Sequence, residues 1–162
     1  MRRIAEDPGS PAVNKPAVRF QRANFVVSDL DRALAFYRDI LGFTLEHVQD
    51  SPRDSYSYPV FDINRDASLR FALLSAPGQA RVMALTEIRG VALGATPGPR
   101  RSAIVLDVGD IDGVVSRSRA AGLQVHPEER LVTHDGRTGR EVGIVDADGN
   151  QVVIYTITSG SG

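Results

Sequence analysis

Four polar side chains lie within strand-like segments of this sequence: Arg22, Asn24, Thr86 and Tyr155. Each has a type suited to holding a small molecule. An arginine fork grips a carboxylate or phosphate through two parallel hydrogen bonds. The same guanidinium can instead be paired internally, with Asp107 or Glu141 as the partner. Tyr155 and Asn24 can hydrogen-bond a ligand, or can be satisfied within a cavity wall. The three histidines, His47, His126 and His134, are too far apart in sequence to form a close metal-ligand pair. His134 beside Asp135 reads either as turn chemistry in HDGRTG or as a proton-transfer pair at a cavity mouth. Glu128–Glu129 and Asp146–Asp148 read as solvated loop or turn carboxylates. The chain has no cysteine, which excludes disulfides, zinc–thiolate sites and cysteine nucleophiles. No Ser–His–Asp pattern, P-loop or dinucleotide fingerprint is present.

The elements that must position these residues follow from periodicity. RFQRANFVV alternates, with Phe25 and Val27 on one face and Arg22, Asn24 and Val26 on the other. Ser28 or Asp29 can cap a helix by accepting from its free backbone N–H groups. Leu30, Ala33, Leu34, Tyr37 and Leu41 then recur at helical spacing, and Gly42 is a left-handed stop. Further strands are expected at about 44–49, 69–75 and 81–88, with an extra strand or extended segment near 56–63. In that segment Tyr56, Tyr58 and Phe61 either form an aromatic lid over a flat ligand or cover the sheet edge. After GVALGATPGPR the pattern restarts: SAIVLDVGDIDGVVSRSRAAGLQV reads as strand, aspartate cap, short helix, glycine stop and strand. VSDLD and VGDID lie 81 residues apart. A hairpin at HDGRTG and the turn DADGN complete the second unit. Alternation puts Ile104, Leu106 and Val108 towards the helices, and Ala103, Val105 and Asp107 on the opposite face. Val153 and Tyr155 share a face, as do Val82, Ala84 and Thr86.

The expected organisation is a flexible arm over residues 1–17, one domain over 18–158 and a frayed tail over 159–162. Within the domain, one module covers about 18–89, a linker about 90–100 and a second module about 101–158. At 162 residues one domain can bury a sizeable core. A net charge of −1 gives no basic surface for nucleic acid, so none is expected as a partner. No apolar run reaches the length of a membrane span, and the Met-Arg-Arg start leads into polar residues and prolines. A cytoplasmic protein without membrane association is expected.

VVSDLDRALAFYRDILGF, the repeated VGDIDGV and VDADGNQVVIYT together resemble the vicinal oxygen chelate superfamily. That group includes glyoxalase I, extradiol dioxygenases, and fosfomycin- and bleomycin-resistance proteins. The resemblance implies an α+β fold: two tandem βαβββ modules forming a curved mixed sheet around a concave cavity, with helices outside. It also implies a homodimer. Metal-dependent members hold a divalent ion on four strand residues, and the ion polarises substrate oxygens. The matching positions here are Arg22, Ala84, Ala103 and Val153. A guanidinium has no free lone pair, and alanine and valine offer only carbon. A shift of one residue in register supplies no ligand set either. The expected protein therefore uses no metal or other cofactor. It binds a small, partly apolar, anionic or carbonyl-bearing molecule at Arg22, Asn24, Ala84, Thr86, Ala103, Val153 and Tyr155. The alternatives are a metal-free isomerase or lyase using Arg22, Asn24 and Tyr155, or a metal-dependent glyoxalase or dioxygenase.

Overall fold

The structure, a computed structural model, describes residues 16–95 and 97–160. The expected arm therefore lies almost wholly outside the described residues, as does the end of the expected tail.

The first half opens with β1 (Ala23–Val27) and α1 (Leu30–Leu34). Asp29 caps α1, its carboxylate accepting from the Arg32 backbone N–H at 3.0 Å. Ser28 has a different task, described below. The apolar stripe Leu30, Ala33 and Leu34 is buried as its spacing requires. The expected single α-helix then widens into a π-helical stretch, Ala35–Ile40. There the Leu41 N–H reaches five residues back to the Phe36 carbonyl at 2.9 Å. Two consecutive aromatics, Phe36 and Tyr37, are buried in this widened turn. Gly42, at φ 86°, ends it.

Next come β2 (Thr44–Asp50), α2 (Ser57–Val60), β3 (Ser68–Ala76) and β4 (Gln79–Arg89). The expected strand at 56–63 is a correction, because the chain forms the helical turn α2 there. Pro59 has no N–H to give to a ladder, and the Phe61 N–H bonds back to the Ser57 carbonyl at 3.1 Å. The second half contains β5 (Ala103–Asp107), α3 (Ile111–Ala120), β6 (Gln124–Val125), β7 (Glu129–Val132), β8 (Thr138–Val145) and β9 (Gln151–Ser159). Asp110 caps α3 through the Gly113 N–H at 2.9 Å. α3 buries Ile111, Val114 and Ser118 of the expected stripe.

These strands make two curved sheets, ordered β1-β4-β3-β2 and β5-β9-β8-β6, with β7 also on β8. In each half the first strand runs parallel to the last. Asn24 lies opposite Ala84 and Val26 opposite Thr86; Val105 lies opposite Val153 and Asp107 opposite Tyr155. The repeat thus extends to strand register. One core spans both halves: Val27, Leu74, Met83 and Leu85 join the helices and Val142, Ile144, Val152 and Ile154. A smaller core beneath α2 contains Tyr58, Ala67, Leu69 and Ile88.

Polar contacts fasten the halves at the β8–β9 turn. The Tyr37 hydroxyl donates to Asp146 at 2.8 Å, and the Asn150 amide donates to the Val26 carbonyl at 3.0 Å. The Ser28 backbone N–H and hydroxyl both donate to Asp148, at 3.1 and 2.5 Å. This corrects the reading of Asp146 and Asp148 as solvated carboxylates. Asp146 is 7% exposed and receives four donors, including the Asp148 and Asn150 backbone N–H groups. A turn carboxylate cannot be buried unless its lone pairs are met, and the first half supplies the tyrosine that makes this possible.

Candidate functional site

Each sheet packs one face on the core formed with α1, the π-helical stretch and α3, and the candidate residues lie on the other. On the first sheet, paired positions form two rows across this second face, part of which α2 covers. One row is His47, Leu73, Ala84 and Asn24; the next is Gln49, Phe71, Thr86 and Val26. The Thr86 hydroxyl donates to the Asn24 side-chain oxygen at 3.0 Å. Ala84 and Thr86 are fully buried, so they form a floor and not a lining; Asn24 is half-buried above them. Beside Asn24 the α2 segment borders an open depression of about 250 Å³, lined by Asn24, Ser55, Tyr56, Ser57, Val60 and Phe61.

The expected aromatic cluster divides between roles here. Tyr58 is core, with its hydroxyl donating to the Ala67 carbonyl at 2.8 Å. Phe61 and the exposed Tyr56 form the cavity wall. Arg22 lies just before β1 and is exposed. Among the described residues no hydrogen bond or ion pair involves it, so neither Asp107 nor Glu141 holds it internally.

On the second sheet the equivalent rows are His126, Gly143, Val153 and Val105, then Glu129, Glu141, Tyr155 and Asp107. His126 donates its backbone N–H to the Gly143 carbonyl at 2.8 Å. Its ring lies over the bare glycine: a Cβ on Gly143 would meet the ring Cδ2 at 2.9 Å. Ala103 lines a cavity of about 340 Å³, and Tyr155 lines a cleft of about 620 Å³. Val153 sits between Val105 and Gly143.

The seven expected site residues therefore form two groups. Asn24, Ala84 and Thr86 belong to the first sheet, with Arg22 just before it; Ala103, Val153 and Tyr155 belong to the second. None of the cavities described above is lined by both groups. The α+β fold of two tandem modules is as expected, and its strands form two curved sheets, because β1 and β5 are both edge strands and share no ladder.

Sequence reasoning missed His47 and Gln49, whose side chains meet at 2.9 Å on the face of the first sheet turned away from the shared core. Alternation would put His47 on the same side as Leu45, which packs on the core. A bulge between them reverses this: Leu45 pairs with Leu74, but His47 pairs with Leu73. The bulge also makes His47 and His126 equivalent positions in the two rows. Only cross-strand register reveals that relation. His134 is exposed in the β7–β8 turn, in keeping with turn chemistry.

The four positions to which the resemblance assigns metal ligands carry Arg22, Ala84, Ala103 and Val153, none of which has a side-chain donor for a cation. Among the described residues, no three His, Cys, Asp or Glu side chains are grouped to hold an ion. The residues present do not fit the divalent ion of metal-dependent relatives.

Comparisons with known proteins agree on the architecture. A glyoxalase family protein from Bacillus cereus superposes with a TM-score of 0.68 at 19% identity, covering 93% of this chain and 100% of its own. The trypanothione-dependent glyoxalase I of Leishmania major gives 0.59 at 21% identity, covering 86% of this chain and 87% of its own. A fosfomycin resistance protein of Listeria monocytogenes, crystallised with manganese(II) and sulfate, gives 0.55 at 16% identity, covering 85% and 90%. At such identities the likeness concerns the fold. No curated protein has a significant sequence match. The family model for the Glyoxalase/Bleomycin resistance protein/Dioxygenase superfamily matches residues 19–154, and the chain belongs to that superfamily.

Proposed function

We propose that this protein is a metal-independent, small-molecule-binding member of the superfamily, cytoplasmic and homodimeric. Its ligand is small, partly apolar, and carries an anionic or carbonyl group. One observation carries this reading: Asn24, the hydroxyl-bearing Ser55 and Ser57, and the apolar Tyr56, Val60 and Phe61 line one open depression. Arg22, exposed two residues before Asn24, supplies the cation at its edge. A few polar groups set in apolar walls are what ligand pockets require. Where a metal-dependent relative polarises its ligand with an ion, this chain uses hydrogen-bond donors.

The experiment is a thermal-shift screen of small aromatic carboxylates, followed by mass analysis of each bound compound. A carboxylate that stabilises the protein and is recovered unchanged supports binding without turnover. Binding that survives Arg22→Ala and Asn24→Ala undiminished overturns the site. Stoichiometric Ni, Zn, Fe or Mn in protein purified without chelator overturns the metal-independent reading. The alternative isomerase or lyase needs Tyr155 beside Asn24. These residues belong to different sheets and line different openings.

A further inference from the structure

The unpaired edge of β5 borders a second opening, separate from the cavity at Asn24. Its two compartments, of about 340 and 620 Å³, share Phe43, Ala76, Gln79, Val105 and Leu106, so they form one continuous cleft. Most of its length is apolar, with Phe20, Val82, Met83 and Ile104 in the narrower compartment. Polar groups gather at the wider end, where Asp107 and Tyr155 face each other across β5 and β9. Among the described residues Asp107 enters no ion pair. Val105, between the two ends, is 63% exposed.

The repeat explains why this space is open. At the other end of the joint between the halves, the β8–β9 turn fills the corresponding position. Its Asp146, Asp148 and Asn150 bond to Tyr37, Ser28 and the Val26 carbonyl. Here the corresponding turn is Ala76-Pro77-Gly78-Gln79, and no hydrogen bond among the described residues ties it to the second half. The residue 81 positions after Tyr37 is Ser118, whose buried hydroxyl has no partner among the described residues. One end of the joint is locked by polar side chains, while the other end lacks them.

We propose that the cleft along β5 is a binding site for an elongated amphiphile with a cationic head, the head against Asp107 and Tyr155. The apolar tail lies between β5 and the Phe43, Val82 and Met83 wall. The volume falls in the range of small-molecule pockets, about 300–1,000 Å³. The lone carboxylate sets the charge of the head, since an anion there would be repelled. This site is independent of the proposed ligand cavity at Arg22 and Asn24.

Isothermal titration of the full chain tests it, using decyltrimethylammonium and decanoate below their micelle-forming concentrations. The cation is expected to bind saturably at one per chain, and decanoate to bind at least about tenfold more weakly, the effect of one charge contact. Val105→Trp, which fills the cleft from an exposed position, should abolish binding. Gln79→Trp, from the opposite wall, should do the same, so a folding defect in one variant leaves the other decisive. Asp107→Asn should bring the two affinities to within about threefold. Arg22→Ala and Tyr56→Ala should leave the cation's affinity unchanged, which separates this site from the first. Equal affinities for the two amphiphiles, no saturable binding, or binding indifferent to both tryptophans overturns the proposal. So does binding that weakens as protein concentration rises, because a second copy would then be covering β5.

Discussion

Tyr37 and Asp146 form the most demanding contact in the protein, a buried hydroxyl donating to a buried carboxylate across the two halves. Burial, then the charges and hydrogen bond of Asp146 and the charge of Asp148, push the Tyr37 hydroxyl pKa far above its ordinary value. The sign of the linkage follows. A group whose pKa is raised on folding gives stability that is complete below its unfolded value, about 10 for tyrosine, and lost as pH rises beyond it. Tyr37→Phe should cost about 1–2 kcal/mol at neutral pH, because Asp146 loses a donor. It should also flatten the alkaline fall in stability, and urea denaturation between pH 8 and 11 measures both effects. Ser118 presents the reverse case. Its hydroxyl is buried without a partner among the described residues, so its desolvation is uncompensated. Ser118→Ala should stabilise the protein by about 1 kcal/mol, and a rise in urea midpoint with unchanged slope is the expected result.

At the scale of elements, glycine and bulges decide how faithfully the strands follow the repeat. Two glycines of β8 differ in what opposes them. A Cβ on Gly139 would lie 2.1 Å from the Thr156 carbonyl oxygen, which is backbone and cannot turn aside. Gly139→Ala should therefore force the β8–β9 ladder apart and cost about 3 kcal/mol. At Gly143 the obstacles are the His126 ring at 2.9 Å and the Gln151 side-chain nitrogen at 3.0 Å. Gly143→Ala should cost less, about 1 kcal/mol. It should also move the His126 ring off the sheet, seen as a changed His126 imidazole signal in NMR. Equal losses for the two variants would contradict this account. The helix caps were legible because an aspartate before an apolar stripe has one favourable use. The bulge at β2 was not, since nothing in TLEHVQD alone says where alternation slips.

For the whole molecule, the core settles whether the halves are separate units. Helix-facing residues of both sheets, together with α1, the π-helical stretch and α3, pack into one apolar cluster. Neither half can cover its own apolar face, so the full chain should unfold in a single cooperative transition. A fragment of residues 16–95 should bind a hydrophobic dye and lack such a transition; circular dichroism with heating distinguishes these outcomes. The shared core also fixes the candidate sites. With α1, the π-helical stretch and α3 packed together, β1 and β5 become two separate edges, and each outer face belongs to its own sheet.

The sequence by itself determined the local grammar: capped helices, glycine stops, the repeat at an offset of 81, and a family whose metal positions carry arginine, alanine and valine. These are short-range properties, set by backbone geometry and by the chemistry of single side chains. Only the tertiary structure decided which residues meet. It divided the seven expected site residues between two sheets, turned His47 outward with a bulge, made Asp146 a buried joint, and left a cleft beside β5. Such outcomes depend on register and on contacts between residues more than 100 positions apart, as between Tyr37 and Asp146. No local pattern encodes them, because the energy that selects them arises only when the two halves pack.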